Sequence, residues 1–239
     1  MSSIFYPANE RGHVQFDWLD TYHSFSFGQY HDPSKIHFGA LRVLNDDKVD
    51  AGMGFGTHPH DNMEIITIPL FGDLHHRDST GRDCIIKEHD VQIMSAGSGI
   101  QHSEVNPNKD KRVELFQIWI FPKERNITPR YDQKSFLPED RVDQLLTVVS
   151  PNEPNTLFIN QDAWLSLGHF KKPFSTNYAM HQAGQGLFAI CIEGTCTVGG
   201  QILGRRDAVG ISGVEAVQLE AAAGSDLLLI EIPHFTTQA

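Results

Sequence analysis

The sequence predicts an all-β protein that folds as two barrel-like domains. Twenty glycines and twelve prolines divide the chain into many short apolar runs, and few stretches are long enough for helices. Short strands separated by turn residues are typical of sandwiches and barrels. The second half also repeats the first faintly, because Gly186–Gly194 resembles Met63–Gly72. We therefore expect one barrel in residues 1–135 and a second in residues 136–239.

Several strands of the first half can be assigned from local patterns. Phe38–Leu44 reads as a strand that ends in a turn at Asn45–Asp47. Met63–Leu70 is strongly β-forming, and Leu74–Asp78 reads as the return strand. Gly81 then marks a hairpin loop at a position that requires positive φ.

A long apolar strand at Val113–Phe121 should close the first sheet, and a linker rich in charge and proline follows it. Within the linker, Leu137–Asp143 is expected to form one or two helical turns with Pro138 at the first position. Leu145–Val149 then begins the strands of the second domain.

The charge balance excludes some functions. Nineteen basic and thirty acidic residues give a net charge of −11, which argues against direct nucleic-acid binding, since that relies on basic residues. The sequence has no recognisable signal peptide and no apolar run near the ~20 residues that span a bilayer. Three cysteines fit a reducing compartment, so Cys191 and Cys196 are interpreted as unbridged core residues. The protein is expected in the cytoplasm.

Two glycine-led segments, residues 52–64 and 95–106, carry a candidate metal site. Residues two apart on a strand share a face, so His58 and His60 point the same way, as do His102 and Glu104. Imidazoles with a carboxylate suit a first-row divalent ion. Glu64 has the same parity as His58 and His60, so spacing alone leaves Glu64 and Glu104 as alternatives for the carboxylate ligand.

The other histidines are given structural interpretations. We expect surface or hydrogen-bonded positions for four histidines of the first 40 residues: His13, His23, His31 and His37. His75 and His76 are adjacent, so at most one faces the barrel interior, and an outer strand face is favoured for both. In the second half the positions equivalent to His58 and His60 are Met180 and Gln182. The second barrel is thus expected to have no metal ligands and a structural role.

The segments just described resemble the two cupin motifs. Gly52 to Glu64 followed by Gly72 is similar to the first motif with one extra residue, and Gly99 to Asn106 is similar to the core of the second. The chain more closely resembles the pirin family of two-domain cupins, or bicupins. The residues that carry this resemblance are His23–Gly28, Phe55–His60, Met94–Glu104 and Gln117–Ile120.

The pirin resemblance implies two cupin barrels packed face to face, with His58, His60, His102 and Glu104 as metal ligands. It also implies a dioxygenase that cleaves flavonols such as quercetin with release of carbon monoxide. The expected metal is Fe²⁺, with Ni, Co, Mn, Cu or Zn as alternatives, and Glu104 would also accept the substrate proton. A small aromatic substrate and dioxygen are the expected partners of a monomer.

The dioxygenase function requires a cavity for the flavonol, and two other functions are possible alternatives. A large apolar cavity is required for such a substrate, and its candidate residues are Phe25, Phe27, Phe55 and Met94. One alternative is a regulatory protein that senses iron redox state and acts through protein partners. Another is a metal-binding protein whose substrate is unrelated to flavonols.

Overall fold

Antiparallel strands form nearly all the regular structure of residues 1–234, the part of the chain that the computed structural model describes. The first half contains β1 (Ser2–Tyr6), β2 (Gly12–Gln15), β3 (Leu19–His23), β4 (Leu41–Val49), β5 (Gly54–His60), β6 (Glu64–Phe71), β7 (Leu74–Asp78), β8 (Asp83–Ile86), β9 (Asp90–Ser95), β10 (Ile100–Val105), β11 (Val113–Ile120) and β12 (Arg130–Ser135). The second half contains β13 (Leu145–Ser150), β14 (Leu157–Phe158), β15 (Trp164–Phe170), β16 (Phe174–Ala179), β17 (Gln185–Glu193), β18 (Cys196–Val198), β19 (Gln201–Leu203), β20 (Ala208–Ser212), β21 (Ala216–Ala221) and β22 (Ser225–Pro233).

The helical elements of this range are two short 3-10 turns, Ala8–Glu10 and Pro138–Arg141. The second confirms the turn predicted after Leu137, with Pro138 in the first position where its missing N–H costs nothing. No helix within residues 1–234 has the length and apolar character needed to cross a bilayer.

Each half builds a seven-stranded and a four-stranded sheet that together form a barrel. In the first half the strand orders are β12-β9-β6-β11-β4-β3-β2 and β5-β10-β7-β8. In the second half they are β1-β20-β17-β22-β15-β13-β14 and β16-β21-β18-β19. The predicted all-β fold of two barrels is confirmed.

The barrels pack face to face through their seven-stranded sheets. Alternate side chains of β6 point to opposite faces, so Ile66 and Ile68 enter a core shared with the second barrel, where Phe188 and Ile190 of β17 meet them. Ile65 points the other way, into the first barrel. The second barrel has its own apolar interior, which includes both Cys191 and Cys196 and confirms their interpretation as core residues.

Strand β1 pairs with β20, so Ser2–Tyr6 belongs to a sheet of the second half. The predicted first domain of residues 1–135 therefore gives its first strand to the other barrel. Residues 130–135 do stay with the first half, because β12 pairs with β9. The boundary near residue 135 itself stays a prediction.

Two expectations about strands are wrong. Asn45–Asp47 is not a turn but lies within β4, and these side chains are buried. Each of them has a hydrogen-bonding partner, which offsets part of the cost of burial: His23 for Asn45, Arg11 for Asp46 and Thr21 for Asp47. Strand β11 also does not close the first sheet but lies centrally between β6 and β4. By contrast, Gly81 has φ +93° in the β7–β8 loop, as predicted.

Candidate metal centre

Strands β5 and β10 bring three imidazoles together inside the first barrel. Their antiparallel register sets His102 directly opposite His58, and His60 follows two residues along β5. The ring centroids lie 4.8 Å apart for His58 and His60, 4.4 Å for His58 and His102, and 4.8 Å for His60 and His102. One nitrogen of each ring lies within 4.8 Å of the others. Imidazoles at this spacing can bind one transition-metal ion.

A β-bulge shapes the strand that carries two of these histidines. Phe55 faces Glu104 and His58 faces His102, so β5 has one residue more than β10 between the two pairs. Within the bulge the carbonyl oxygen of Gly56 lies 2.8 Å from Nδ1 of His58. An Nδ1–H that donates there leaves Nε2 free, which is the usual arrangement of a metal-binding histidine.

His102 is the strongest sign of a ligand-binding site. Its side chain is 2% exposed, and neither ring nitrogen has a hydrogen-bonding partner among the described residues. A buried polar group without a partner is costly, and coordination of an ion would satisfy one of these nitrogens. Burial and the neighbouring His58 lower the pKa of His102 to about 3, and burial with His102 lowers that of His60 to about 4. Both imidazoles are therefore neutral at pH 7, the form that binds metals.

Glu104 supplies a carboxylate beside the histidines. It is 3% exposed and accepts hydrogen bonds from Thr67 Oγ1 at 3.2 Å and Gln117 Nε2 at 2.8 Å. These donors extend from β6 and β11 and hold the carboxylate in one orientation. A donor set of three imidazoles and one carboxylate fits a divalent first-row ion.

Comparisons with known proteins identify the family. The family model described as Pirin matches residues 6–120, and one described as the quercetinase C-terminal cupin domain matches residues 147–232. A quercetin 2,3-dioxygenase of Escherichia coli (strain K12) is 42% identical over 229 residues, which cover 95% of this chain and 96% of that protein. The chain belongs to the pirin family.

Other similar proteins agree with this assignment. A pirin-like protein of Caulobacter vibrioides is 35% identical over 227 residues, 94% of this chain and 97% of its own length. The crystal structure of the bacterial pirin YhhW from Escherichia coli, in complex with nickel(II), superposes with a TM-score of 0.92 at 39% identity. That match covers 98% of this chain and all of the other.

Glu64, the alternative carboxylate in this pirin, lies on the wrong side of the sheet to join the histidines. It accepts hydrogen bonds from Ser95 Oγ at 2.8 Å and from the backbone N–H of Asn160 at 3.1 Å, so it lies at the contact with the second barrel. Burial raises its pKa. The parity count fails because β5 and β6 belong to different sheets, and Asn62 between them has φ +46°.

His76 is the residue that sequence reasoning missed. It was expected on an outer strand face, but its side chain is fully buried in the pirin barrel, and it forms a second group of potential ligands with His102 and Glu104. His75 does lie on the outer face, bonded to Asp83. The available signal was the apolar residue Leu74, which shares the parity of His76 and marks that face as the interior.

The expectation for the four early histidines is confirmed. His31 is exposed, while Nε2 of His13 lies 2.7 Å from Asp20 and Nδ1 of His37 lies 2.9 Å from the carbonyl oxygen of Gly39. His23 is buried and lies 2.7 Å from the side-chain oxygen of Asn45.

The chamber around the histidines is small and partly aromatic. It encloses about 80 Å³, so the expectation of a large cavity around these residues is wrong. Its apolar lining residues are Leu19, Phe27, Phe55, Ile65 and Trp119. Phe27 and Phe55 were predicted to line it. Phe25 instead enters the core between the barrels, and Met94 packs behind Ile65.

The pirin's second barrel has a different polar cluster. His181 lies between two carboxylates, with Nδ1 2.7 Å from Glu231 and Nε2 3.2 Å from Glu153, and its ring stacks on Trp164. Both groups of three potential metal ligands found within residues 1–234 lie in the first barrel.

Proposed function

We propose that this protein is a metal-dependent dioxygenase that cleaves flavonols such as quercetin with release of carbon monoxide. One divalent ion would be held by His58, His60, His102 and Glu104. The observation that carries the proposal is His102, buried beside two other imidazoles with neither nitrogen partnered. The name of the Escherichia coli relative supports the reaction.

Imidazole and carboxylate ligands favour a divalent ion of intermediate or high Lewis-acid hardness. Fe²⁺ is our proposal for the native metal, and nickel(II) in the similar YhhW structure supports Ni²⁺ as a substitute. Such an ion would supply Lewis-acid activation of a bound oxygen and a meeting point for dioxygen.

Glu104 is proposed as the group that accepts the 3-hydroxyl proton of the flavonol. The O–H bond of the substrate breaks, and the proton moves to a carboxylate oxygen of Glu104. The two donors from Thr67 and Gln117 fix the orientation of this carboxylate, so the proton acceptor is in place before the substrate arrives. Its burial keeps bulk water from competing for the same oxygens.

The size of the chamber sets how a flavonol would enter. About 80 Å³ accommodates the oxygen-bearing edge of the substrate and not three rings. The remainder would lie over a wider surface cavity that shares His60 and includes Pro59 and Ile100. Phe27 and Phe55 supply apolar walls for the edge that enters. Loose contact with the rest of the substrate predicts a modest rate and tolerance of other flavonols.

The test is the loss of the quercetin absorption band after the protein is loaded with Fe²⁺ or Ni²⁺. We expect consumption under air, with carbon monoxide released, and none under nitrogen or after treatment with a chelator. At metal concentrations that saturate the variant, Glu104→Gln should slow turnover more than it weakens substrate binding, because the proton acceptor matters most in the transition state. Consumption that persists without oxygen or metal would rule out this mechanism.

Metal stoichiometry tests the site separately from the reaction. We expect one ion per chain by elemental analysis, since the three imidazoles converge on one point. Two tightly held ions per chain would contradict the proposed site. A loaded protein that consumes no flavonol would instead favour the regulatory function, in which the metal changes a surface seen by a protein partner.

The proposal also covers the oligomeric state and the cellular compartment. We propose a monomer in the cytoplasm, where the three cysteines stay reduced. Thiol titration of freshly made, denatured protein should find three reactive thiols, and sedimentation should give the mass of one chain. A count of one thiol would indicate a disulfide between two of them.

A further inference from the structure

We propose that His76 and Asp78 form a hydrogen-bonded pair that positions His102 from behind, which makes His76 a positioning residue for the metal site. This inference rests on the proposed metal site and concerns residues of β7, outside the four proposed ligands. Strand register and burial support it, and so do the ring nitrogens of His76 and His102 that have no hydrogen-bonding partner among the described residues.

Strand β7 runs beside β10 on the side opposite to β5. The register sets Asp78 opposite His102 and His76 opposite Glu104. One nitrogen of His76, one of His102 and one oxygen of Glu104 lie within 4.8 Å of one another. His102 is therefore flanked by β5 on one side and by the His76–Asp78 pair on the other.

The Asp78 carboxylate fixes the protonation pattern of His76. Nε2 of His76 lies 3.0 Å from Oδ2 of Asp78, and both side chains are at most 1% exposed. Oδ1 of Asp78 accepts hydrogen bonds from the backbone N–H and the hydroxyl of Thr80, at 2.8 and 2.6 Å. An ionised carboxylate only accepts, so Nε2 of His76 carries the hydrogen. In a neutral ring, Nδ1 then has no hydrogen and can only accept.

Nδ1 of His76 has no partner among the described residues, and neither nitrogen of His102 has one. When one nitrogen of His102 binds an ion, the other keeps its hydrogen and requires an acceptor, as metal-binding histidines nearly always have. The oxygens of Glu104 already accept from Thr67 and Gln117. Unlike those oxygens, Nδ1 of His76 has no donor among the described residues, so it is the acceptor that we assign to His102.

The ring of His76 is held in place on a second side. Tyr131 of β12 packs against it with ring centroids 4.7 Å apart. The Tyr131 hydroxyl donates to the side-chain oxygen of Gln133 at 2.7 Å. Asp78 and Tyr131 thus fix both the tautomer and the orientation of His76, which is what a support for a ligand requires.

Four variants test the inference through metal affinity, measured for Ni²⁺ by competition with a colorimetric chelator. His76→Phe keeps a ring but removes the acceptor and should weaken binding by about 10- to 100-fold, the usual cost of losing such a partner. His76→Asn retains an acceptor near the Nδ1 position and should recover part of the loss. The Ni²⁺ affinity of Asp78→Asn should lie between that of wild type and that of His76→Phe.

His75→Phe is the matched control, because His75 is the neighbour on the same strand, faces outward and also pairs with an aspartate. We expect its affinity to stay within twofold of wild type. His76→Phe within twofold of wild type would overturn the inference. So would a wild type that takes up two Ni²⁺ ions and a His76→Phe variant that takes up one, since His76 would then be a ligand.

A measurement on the unmodified protein keeps the inference testable even if the variants misfold. Imidazole ¹H–¹⁵N spectra of the Zn²⁺-loaded protein should show His76 protonated at Nε2 and a slowly exchanging ring N–H on His102. The opposite tautomer of His76, or rapid exchange at His102, would overturn the inference. A wild type that binds no metal would defeat the proposed function itself, whereas normal binding by His76→Phe would defeat only this inference.

Discussion

At the scale of single residues, two buried glutamates of the first barrel have different surroundings. Glu104 lies with the histidines and accepts from Thr67 and Gln117, whereas Glu64 accepts from Ser95 and Asn160 at the contact between barrels. Both are at most 3% exposed. Burial therefore does not distinguish the proposed ligand from the other glutamate. The two differ in the face of the sheet on which they lie.

Glu104→Gln should weaken Ni²⁺ binding by more than the roughly 10- to 100-fold typical of an outer-shell partner, because it removes a proposed ligand and its charge. Glu64→Gln serves as the control and should retain the metal, while changing only the stability of the barrel contact. Chelator competition on both variants, with circular dichroism to verify folding, makes the comparison. Loss of metal from Glu64→Gln with retention by Glu104→Gln would show that the wrong carboxylate was chosen.

Asp47 gives a prediction about pH. Burial, with the charges of Asp46 and Glu104, raises its pKa from 3.8 to about 7. The folded state thus binds a proton that the unfolded state releases, so this group's contribution to stability is present below pH 4 and is lost as the pH rises to 7. In the metal-free protein, the free energy of unfolding of Asp47→Asn should rise relative to that of wild type as the pH increases from 4 to 7. The expected rise is on the order of 2–4 kcal/mol, at about 1.4 kcal/mol per pKa unit. Urea unfolding at several pH values measures this difference, and parallel pH curves would contradict it.

At the scale of elements, the approach of β5 to β10 sets the positions of the proposed ligands. Gly54 lies so close to β10 that an added Cβ would be 2.2 Å from the carbonyl oxygen of Glu104. Gly56, two residues along β5, has open space at the same position. The two glycines lie two residues apart on one strand, but only at Gly54 would an added side chain clash with β10.

Gly54→Ala should therefore push β5 from β10, lower the melting temperature and weaken Ni²⁺ binding by at least tenfold. Overpacking of this kind costs roughly 1–3 kcal/mol. Gly56→Ala should change neither property appreciably, because nothing meets the added methyl group. Thermal unfolding and chelator competition on both variants test this, and equal behaviour of the two would contradict the proposed role of strand spacing.

At the scale of the whole molecule, the two barrels share one core, and the first half contributes β1 to the second barrel. Phe188 of the second barrel is fully buried and contacts the rings of Tyr6, Phe25 and Phe38. All three partners come from the first 40 residues. The second barrel covers the apolar face of the sheet behind the histidine chamber, and the structural role expected for it stays a prediction.

Phe188→Ala should destabilise the whole chain by roughly 3–5 kcal/mol, the usual cost of removing a buried phenylalanine. Because the core is shared, both halves should unfold in one transition at a lower denaturant concentration. Phe158→Ala is the control, since Phe158 is 46% exposed and should cost little. Two separate transitions in Phe188→Ala would show that the barrels fold independently, and denaturant curves followed by fluorescence and by circular dichroism would detect them.

The sequence by itself determined the fold class, the hairpin at Gly81, the turn at Pro138 and the pairing of His58 with His60. These follow from local rules, since strand alternation and turn chemistry act over a few residues. Asn45–Asp47 misled the same rules, because hydrogen-bonding partners outside this short stretch, Arg11, Thr21 and His23, allow these polar side chains to be buried within a strand.

Only the tertiary structure decided which residues of different strands meet. The face taken by Glu64 depends on β6 leaving the sheet of β5, and the inward position of His76 depends on β7 pairing with β10. The pairing of β1 with β20 joins the two ends of the sequence in one sheet. Parity is a property of one continuous strand, so it cannot be counted across a turn into another sheet, and that geometry is set by packing between the sheets.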